Sequence, residues 1–264
     1  MIFVNVDVPM ERWPVTNWLL IAATCLISFA VWGDAASTGR GRSGLPPALR
    51  QVIQMPDAHG DDALIGALQP NHFSMKQLVT YQFVHGDPIH LIGNMLFLFC
   101  FGNAINAKLG HLPFLALYLG LGIFSGLGWL LLGSGAPLIG SSGAIAGING
   151  VFLVLYPLNE AAIHTPRTYM FSNDVWRMPA WLFIVGYMLF DLWGTLVTPY
   201  GGVGYVCHVA GEIAGVMVAS ALVLSGWVTS QRGERNLMEI FGWVSEDSLS
   251  QHRGPTRRNP RVID

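Results

Sequence analysis

Apolar positions along the chain gather into six long runs, separated by polar breaks rich in proline and glycine. The runs cover about Asn17–Trp32, His90–Ala107, Leu112–Leu132, Leu138–Leu158, Met178–Thr198 and Tyr205–Trp227. An apolar stretch of roughly 18 residues or more predicts a helix that crosses a bilayer. The first run reaches that length only if Trp13 and Val15 join it. The third is free of charge, the fifth holds Asp191, and the sixth holds His208 and Glu212. The expectation is an all-α, polytopic membrane protein with six transmembrane helices. Residues 1–14 form a short leading segment, 15–228 the membrane domain and 229–264 a polar tail.

Two stretches fall outside this pattern. The first connection, Gly33–Ile89, is long and carries apolar clusters at Leu45–Met55 and Leu64–Leu68, broken by Pro46, Pro47, Pro56 and Pro70. These clusters suit short helices lying in the interface, or an extramembrane cap that joins two spans. The tail holds Leu237, Met238, Ile240, Phe241, Trp243 and Val244. That cluster could lie on the membrane surface, with Arg253, Arg257, Arg258 and Arg261 meeting anionic lipid. The plainer expectation is a disordered tail.

Composition strengthens the membrane reading. Hydrophobic residues make up 52% of the chain and charged residues 11%, where soluble domains carry roughly 25% charged. A net charge of −2 gives no basic field for a nucleic-acid partner. Cys25, Cys100 and Cys207 each sit in an apolar run, so they form neither a disulfide framework nor a C-x-x-C metal or redox motif. Residues 1–16 contain Asp7, Glu11 and Arg12 where a secretory signal has a basic start, and Ala35-Ala36 is a weak cleavage site. An uncleaved N-terminus is expected. Six crossings put both termini on one side, with ten Lys and Arg against four on the other (Arg40, Arg42, Arg50 and Lys76). That bias predicts cytoplasmic termini.

Ionisable groups inside spans are costly, so each asks for a reason. Three clusters stand out: His85, His90 and Asn94; Gly140-Ser141-Ser142-Gly143; and His208 with Gly211, Glu212 and Gly215. The second, fourth and sixth spans run inward from the outer face. His90, Ser142 and His208 each lie near the outer end of one of them, at a shared depth of roughly 5–8 Å. A serine hydroxyl becomes a nucleophile when a base takes its proton, and His208 can be that base. Attack on a peptide carbonyl makes an oxyanion that needs fixed donors. His90 and Asn94, four apart, share a helix face, and the Ser142 N–H lies near a helix start. Gly143 with Gly147, and Gly211 with Gly215, make small-xxx-small steps that let two helices approach closely.

These residues resemble the rhomboid family of intramembrane serine proteases. His85, His90 and Asn94 match the family's H-x-x-x-x-H-x-x-x-N, Gly140–Gly143 its G-x-S-G, and His208, Gly211 and Gly215 its H-x-x-G-x-x-x-G. The resemblance covers about residues 15–228. It implies a rhomboid-like helical bundle and a Ser142–His208 dyad without an essential third acid. It also implies transmembrane protein substrates with helix-destabilising residues near the outer face. The cavity would be gated by the fifth helix and the loop before the sixth, here holding Pro199, Tyr200, Gly201, Gly202 and Gly204. No cofactor or metal is expected, the oligomeric state is left open, and the expected setting is a bacterial inner membrane. The chain departs from the Trp-Arg pair found in the first loop of many bacterial members, since no Trp occurs between Trp32 and Trp129.

Several residues carry more than one reading. Glu212 either orients the His208 ring or hydrogen-bonds across helices. Asp191 is expected as a buried, hydrogen-bonded group rather than a catalytic part, and His85 as a loop residue or a neighbour of the site. The G-x-S-G register favours Ser142 over Ser141, and Cys207 points away from its neighbour His208. His59, His72, His111, His164 and His252 receive no role. The string H-E-x-x-H of zinc proteases is absent, and an aspartyl protease needs two membrane Asp residues where only Asp191 qualifies. Two further readings are a catalytically silent binder or chaperone of membrane helices, and a proton-relaying transporter using Asp191, Glu212 and His208.

Overall fold

A computed structural model describes residues 3–38, 66–164, 176–198, 204–230 and 234–244. The apolar runs become six helices: α1 (Val15–Thr38), α2 (Pro88–Leu109), α3 (His111–Leu132), α4 (Ser142–Leu155), α5 (Ala180–Val197) and α6 (Tyr205–Leu224). Five are long and apolar enough to cross a bilayer; α4 is the shorter apolar helix. The chain is a multi-pass integral membrane protein built as a helical bundle. The Leu45–Met55 cluster, Pro199–Gly202 and Arg253, Arg257, Arg258 and Arg261 lie outside the described residues.

The short α4 is the centre of the bundle. Its 14 residues span about 21 Å, too little for a bilayer, and almost every one of them is buried. It packs most extensively on α6 and then on α3. The fourth run was expected to turn helical from Leu138, yet Ser142 is the first helical residue. The residues before it lie outside the helix instead, with Leu138 in a β-bridge. Leu68 and Leu138 exchange backbone hydrogen bonds of 2.9 Å, and the Gly140 N–H donates to the Tyr81 carbonyl at 2.9 Å. Those bonds satisfy the backbone polar groups that a helix would have satisfied within itself, as a buried segment requires.

Glycine steps set the α4–α6 distance. A Cβ on Gly211 would overlap the Gly143 carbonyl, and one on Gly215 would overlap the Gly147 carbonyl. The bare backbones therefore touch, which is what small residues allow in lipid. In α2, Leu98–Gly102 is a π-helical turn. Widening the helix there frees the Leu98 carbonyl, which accepts 2.8 Å from the Asn17 side-chain amide of α1.

The far end of the bundle holds elements the all-α expectation did not include. β1 (Phe3–Val6), β2 (Glu160–His164) and β3 (Trp176–Pro179) form a small antiparallel sheet in the order β1-β2-β3. It joins the start of α1, the end of α4 and the start of α5. On the same face Lys108 of α2 bridges Glu11 at 2.9 Å and Glu234 at 3.6 Å. The segments preceding α1 and following α6 thus share one face, as six helices running alternately through the bundle demand. Of the tail cluster, Leu237–Ile240 forms a helical turn closed by an Asn236–Glu239 capping box, with Met238 buried and Phe241 and Trp243 exposed. That part of the tail is folded onto the bundle.

Candidate active site

The opposite face gathers the starts of α2, α4 and α6. Asp87 caps α2 by accepting from the backbone N–H groups of Ile89 and His90, both at 2.9 Å, with Pro88 in the first helical position. This cap fixes where His90 begins its turn. Before α4, Gly140 has φ +113°, a left-handed conformation open to glycine. A Cβ there would also lie 2.8 Å from the His90 ring. Gly140 therefore lets the α4 entrance sit directly against His90.

Ser142 opens α4, and its Oγ lies 2.8 Å from His208 Nε2. On the other side of the ring, His208 Nδ1 lies 3.1 Å from Asp191 Oδ1 of α5. An ionised carboxylate only accepts, so Nδ1–H donates to Asp191 and Nε2 is left to accept from the Ser142 hydroxyl. Tyr187 stacks on the imidazole at 6.2 Å and Tyr205 meets it edge-on at 6.4 Å. The ring is thus held by one hydrogen-bond partner at each nitrogen and by an aromatic wall.

Asn94 follows His90 by one turn. It is buried, and its side-chain nitrogen has no hydrogen-bond partner. A donor left unpaired in a water-poor interior is costly, and this one lies beside Gly140, close to the point that the His90 ring also reaches. The Ser142 N–H, at the first position of α4, has no acceptor within its own helix. The His90 ring and the Asn94 amide thus meet at Gly140, two residues before Ser142.

The other expected neighbours fall into two groups. His85 does not touch Ser142. Its Nδ1 lies 3.2 Å from Ser28 Oγ, its Nε2 lies 3.2 Å from Ser141 Oγ, and Trp32 donates to its carbonyl at 2.8 Å. His85 thus ties α1 to the α4 entrance, one residue from Ser142. Gly143 packs against Ser125, and a Cβ on it would lie 2.5 Å from Cys207 Sγ. Glu212, one turn beyond His208, brings its carboxyl to that of Asp191 across helices. Among the described residues no group of three His, Cys, Asp or Glu side chains is placed to hold a metal.

Asp191 as the partner of His208 is the feature the sequence reading missed. A depth argument could have found it. Asp191 lies near the end of α5 at Val197, and His208 near the start of α6 at Tyr205. Antiparallel neighbours joined by a short loop bring such positions level.

A family model for the Rhomboid domain matches residues 72–225, which hold α2 to α6 and every residue of this site. The chain belongs to the rhomboid family. Among rhomboid relatives, Rhomboid protease GlpG of Yersinia pestis (strain Pestoides F) is 30% identical over 142 residues, covering 53% of this chain and 46% of that protein. Rhomboid protein 1, mitochondrial, of Saccharomyces cerevisiae is 27% identical over 177 residues, covering 64% and 46%. Rhomboid-like protein 11, chloroplastic, of Arabidopsis thaliana is 27% identical over 168 residues, covering 57% and 54%. The matched rhomboid region spans about half the length of these curated relatives.

Proposed function

We propose that this rhomboid is an intramembrane serine endopeptidase that hydrolyses peptide bonds in or near the transmembrane segments of other membrane proteins. One observation carries the reading: the 2.8 Å approach of Ser142 Oγ to His208 Nε2, beside a buried amide with no partner. In acylation Ser142 Oγ attacks the substrate carbonyl carbon and its proton passes to His208 Nε2. The oxyanion accepts from the Ser142 N–H, the Asn94 amide and a His90 ring N–H. Collapse breaks the C–N bond, and His208 returns the proton to the leaving amine. Water then repeats the sequence on the acyl-enzyme, with His208 as base.

Gly140, Gly143 and His85 shape the entrance around the nucleophile. Substrate enters past α5 and the loop before α6: α5 turns Leu189, Trp193 and Leu196 outward. The basic bias of the connections supports cytoplasmic termini, in a bacterial inner membrane. The test is reconstitution of the purified protein in liposomes with a single-span reporter bearing a helix-breaking residue near its outer end. Cleavage inside or beside that span is expected, and an uncut reporter panel would refute the proposal. In the same assay Asn94→Ala is expected to slow cleavage roughly 100–1,000-fold, the cost of one oxyanion donor, without changing where the substrate is cut.

A further inference from the structure

Behind His208 lies a feature that a Ser–His pair does not require. Asp191 uses Oδ1 for the His208 ring, while its Oδ2 is buried with no partner. Glu212 Oε1 is likewise buried with no partner, and the Glu212 carboxyl lies within hydrogen-bonding range of Asp191. Two carboxylates can only accept, so in contact they leave each other unsatisfied and repel. In a poorly polarisable interior two such charges side by side are strongly disfavoured. One proton between them removes both problems.

We propose that Asp191 and Glu212 share a single proton, Glu212 donating to Asp191 Oδ2 while Asp191 Oδ1 accepts from His208, so that both are positioning residues for the base. The pair then carries one negative charge. The chain of contacts runs Ser142, His208, Asp191, Glu212 and fixes the His208 tautomer from two helices, α5 and α6. Around the pair stand Tyr187 of α5, Tyr205 and Cys207 of α6, and His90 of α2 beyond the His208 ring. The α4 helix facing Glu212 carries no charged residue, and its Gly150 would place a Cβ 2.7 Å from the Glu212 carbonyl. No cation among these neighbours competes for the carboxyls. The positioning role rests on the reading of His208 as base; the shared proton does not.

The protein in liposomes tests both parts. Infrared difference spectra of parent against Glu212→Gln at neutral pH should show a protonated carboxyl band that the variant lacks. The same band in both, or in neither, overturns the shared proton whatever the protein cleaves. Glutamine donates as the protonated acid does, so Glu212→Gln should keep kcat within a few-fold and leave the limb of the pH profile set by His208 unmoved. Glu212→Ala frees Asp191 to turn, and kcat should fall on the order of 100-fold, the cost of a misplaced group about 1 Å out of line, with that limb displaced and KM little changed. Parent-like kcat and pH profile in Glu212→Ala would overturn the positioning role. A parent that neither cleaves nor is acylated at Ser142 would instead overturn the proposed protease and leave the infrared result standing.

Discussion

Ser142→Ala should reduce cleavage of a reconstituted single-span substrate on the order of a million-fold, the scale seen when a serine hydrolase loses its nucleophile. The protein should still fold. Ser142 is only partly buried, its Oγ pairs with the His208 ring, and alanine is at home in the first turn of a helix. Neither neighbour can replace it. Ser141 Oγ is fully buried against His85 Nε2. Cys207 Sγ lies between Gly143 and the Tyr81 hydroxyl, 3.9 Å from the latter, on the side of α6 away from the imidazole. The variant should keep the parent's thermal unfolding profile in detergent while its cleavage rate drops to background. Cleavage at the parent rate would remove Ser142 from the chemistry.

Gly211→Ala should damage the same site less, and by a different route. The added methyl would overlap the Gly143 carbonyl and lie 2.7 Å from Ser125 Oγ. The Gly143 carbonyl is backbone and cannot swing aside as a flexible side chain would, so α4 and α6 must separate. Gly211 follows His208 by three residues and Gly143 follows Ser142 by one, so the separation falls at the 2.8 Å contact. A displacement of about 1 Å at reacting atoms can cost on the order of 100-fold in rate, and overpacking a tight interface costs typically 1–3 kcal/mol. Both effects are expected, as slower cleavage and a lower unfolding midpoint. Gly186→Ala on α5 is the control, because nothing lies within 4 Å of a Cβ there. Equal behaviour of the two variants would show that the α4–α6 crossing does not set the site.

The spans could be read from the chain because lipid imposes a simple rule on residue type, and the three polar clusters stood out against it. The paired glycine steps even indicated which helices touch. Local backbone chemistry was harder to see. The start of α4 moved from Leu138 to Ser142 because Gly140 and the bonds to Leu68 and Tyr81 hold that stretch out of the helix, and such partners lie far off in sequence. The sheet had a faint signal in Val4, Val6 and Val8 alternating with Asn5 and Asp7, a period of two. It is too short to be called a strand without β2 to pair with. Asp191 was seen as a buried acid, but its pairing with His208 depends on how α5 lies against α6, which composition does not encode.

The central claim is that the His208 ring activates the Ser142 hydroxyl. Fluorophosphonate labelling of the purified protein, with the adduct mapped by mass spectrometry, tests it without a known substrate. The adduct is expected on Ser142 in the parent and should vanish in His208→Ala. An adduct on another residue, or one on Ser142 that persists in His208→Ala at the parent rate, would contradict the account.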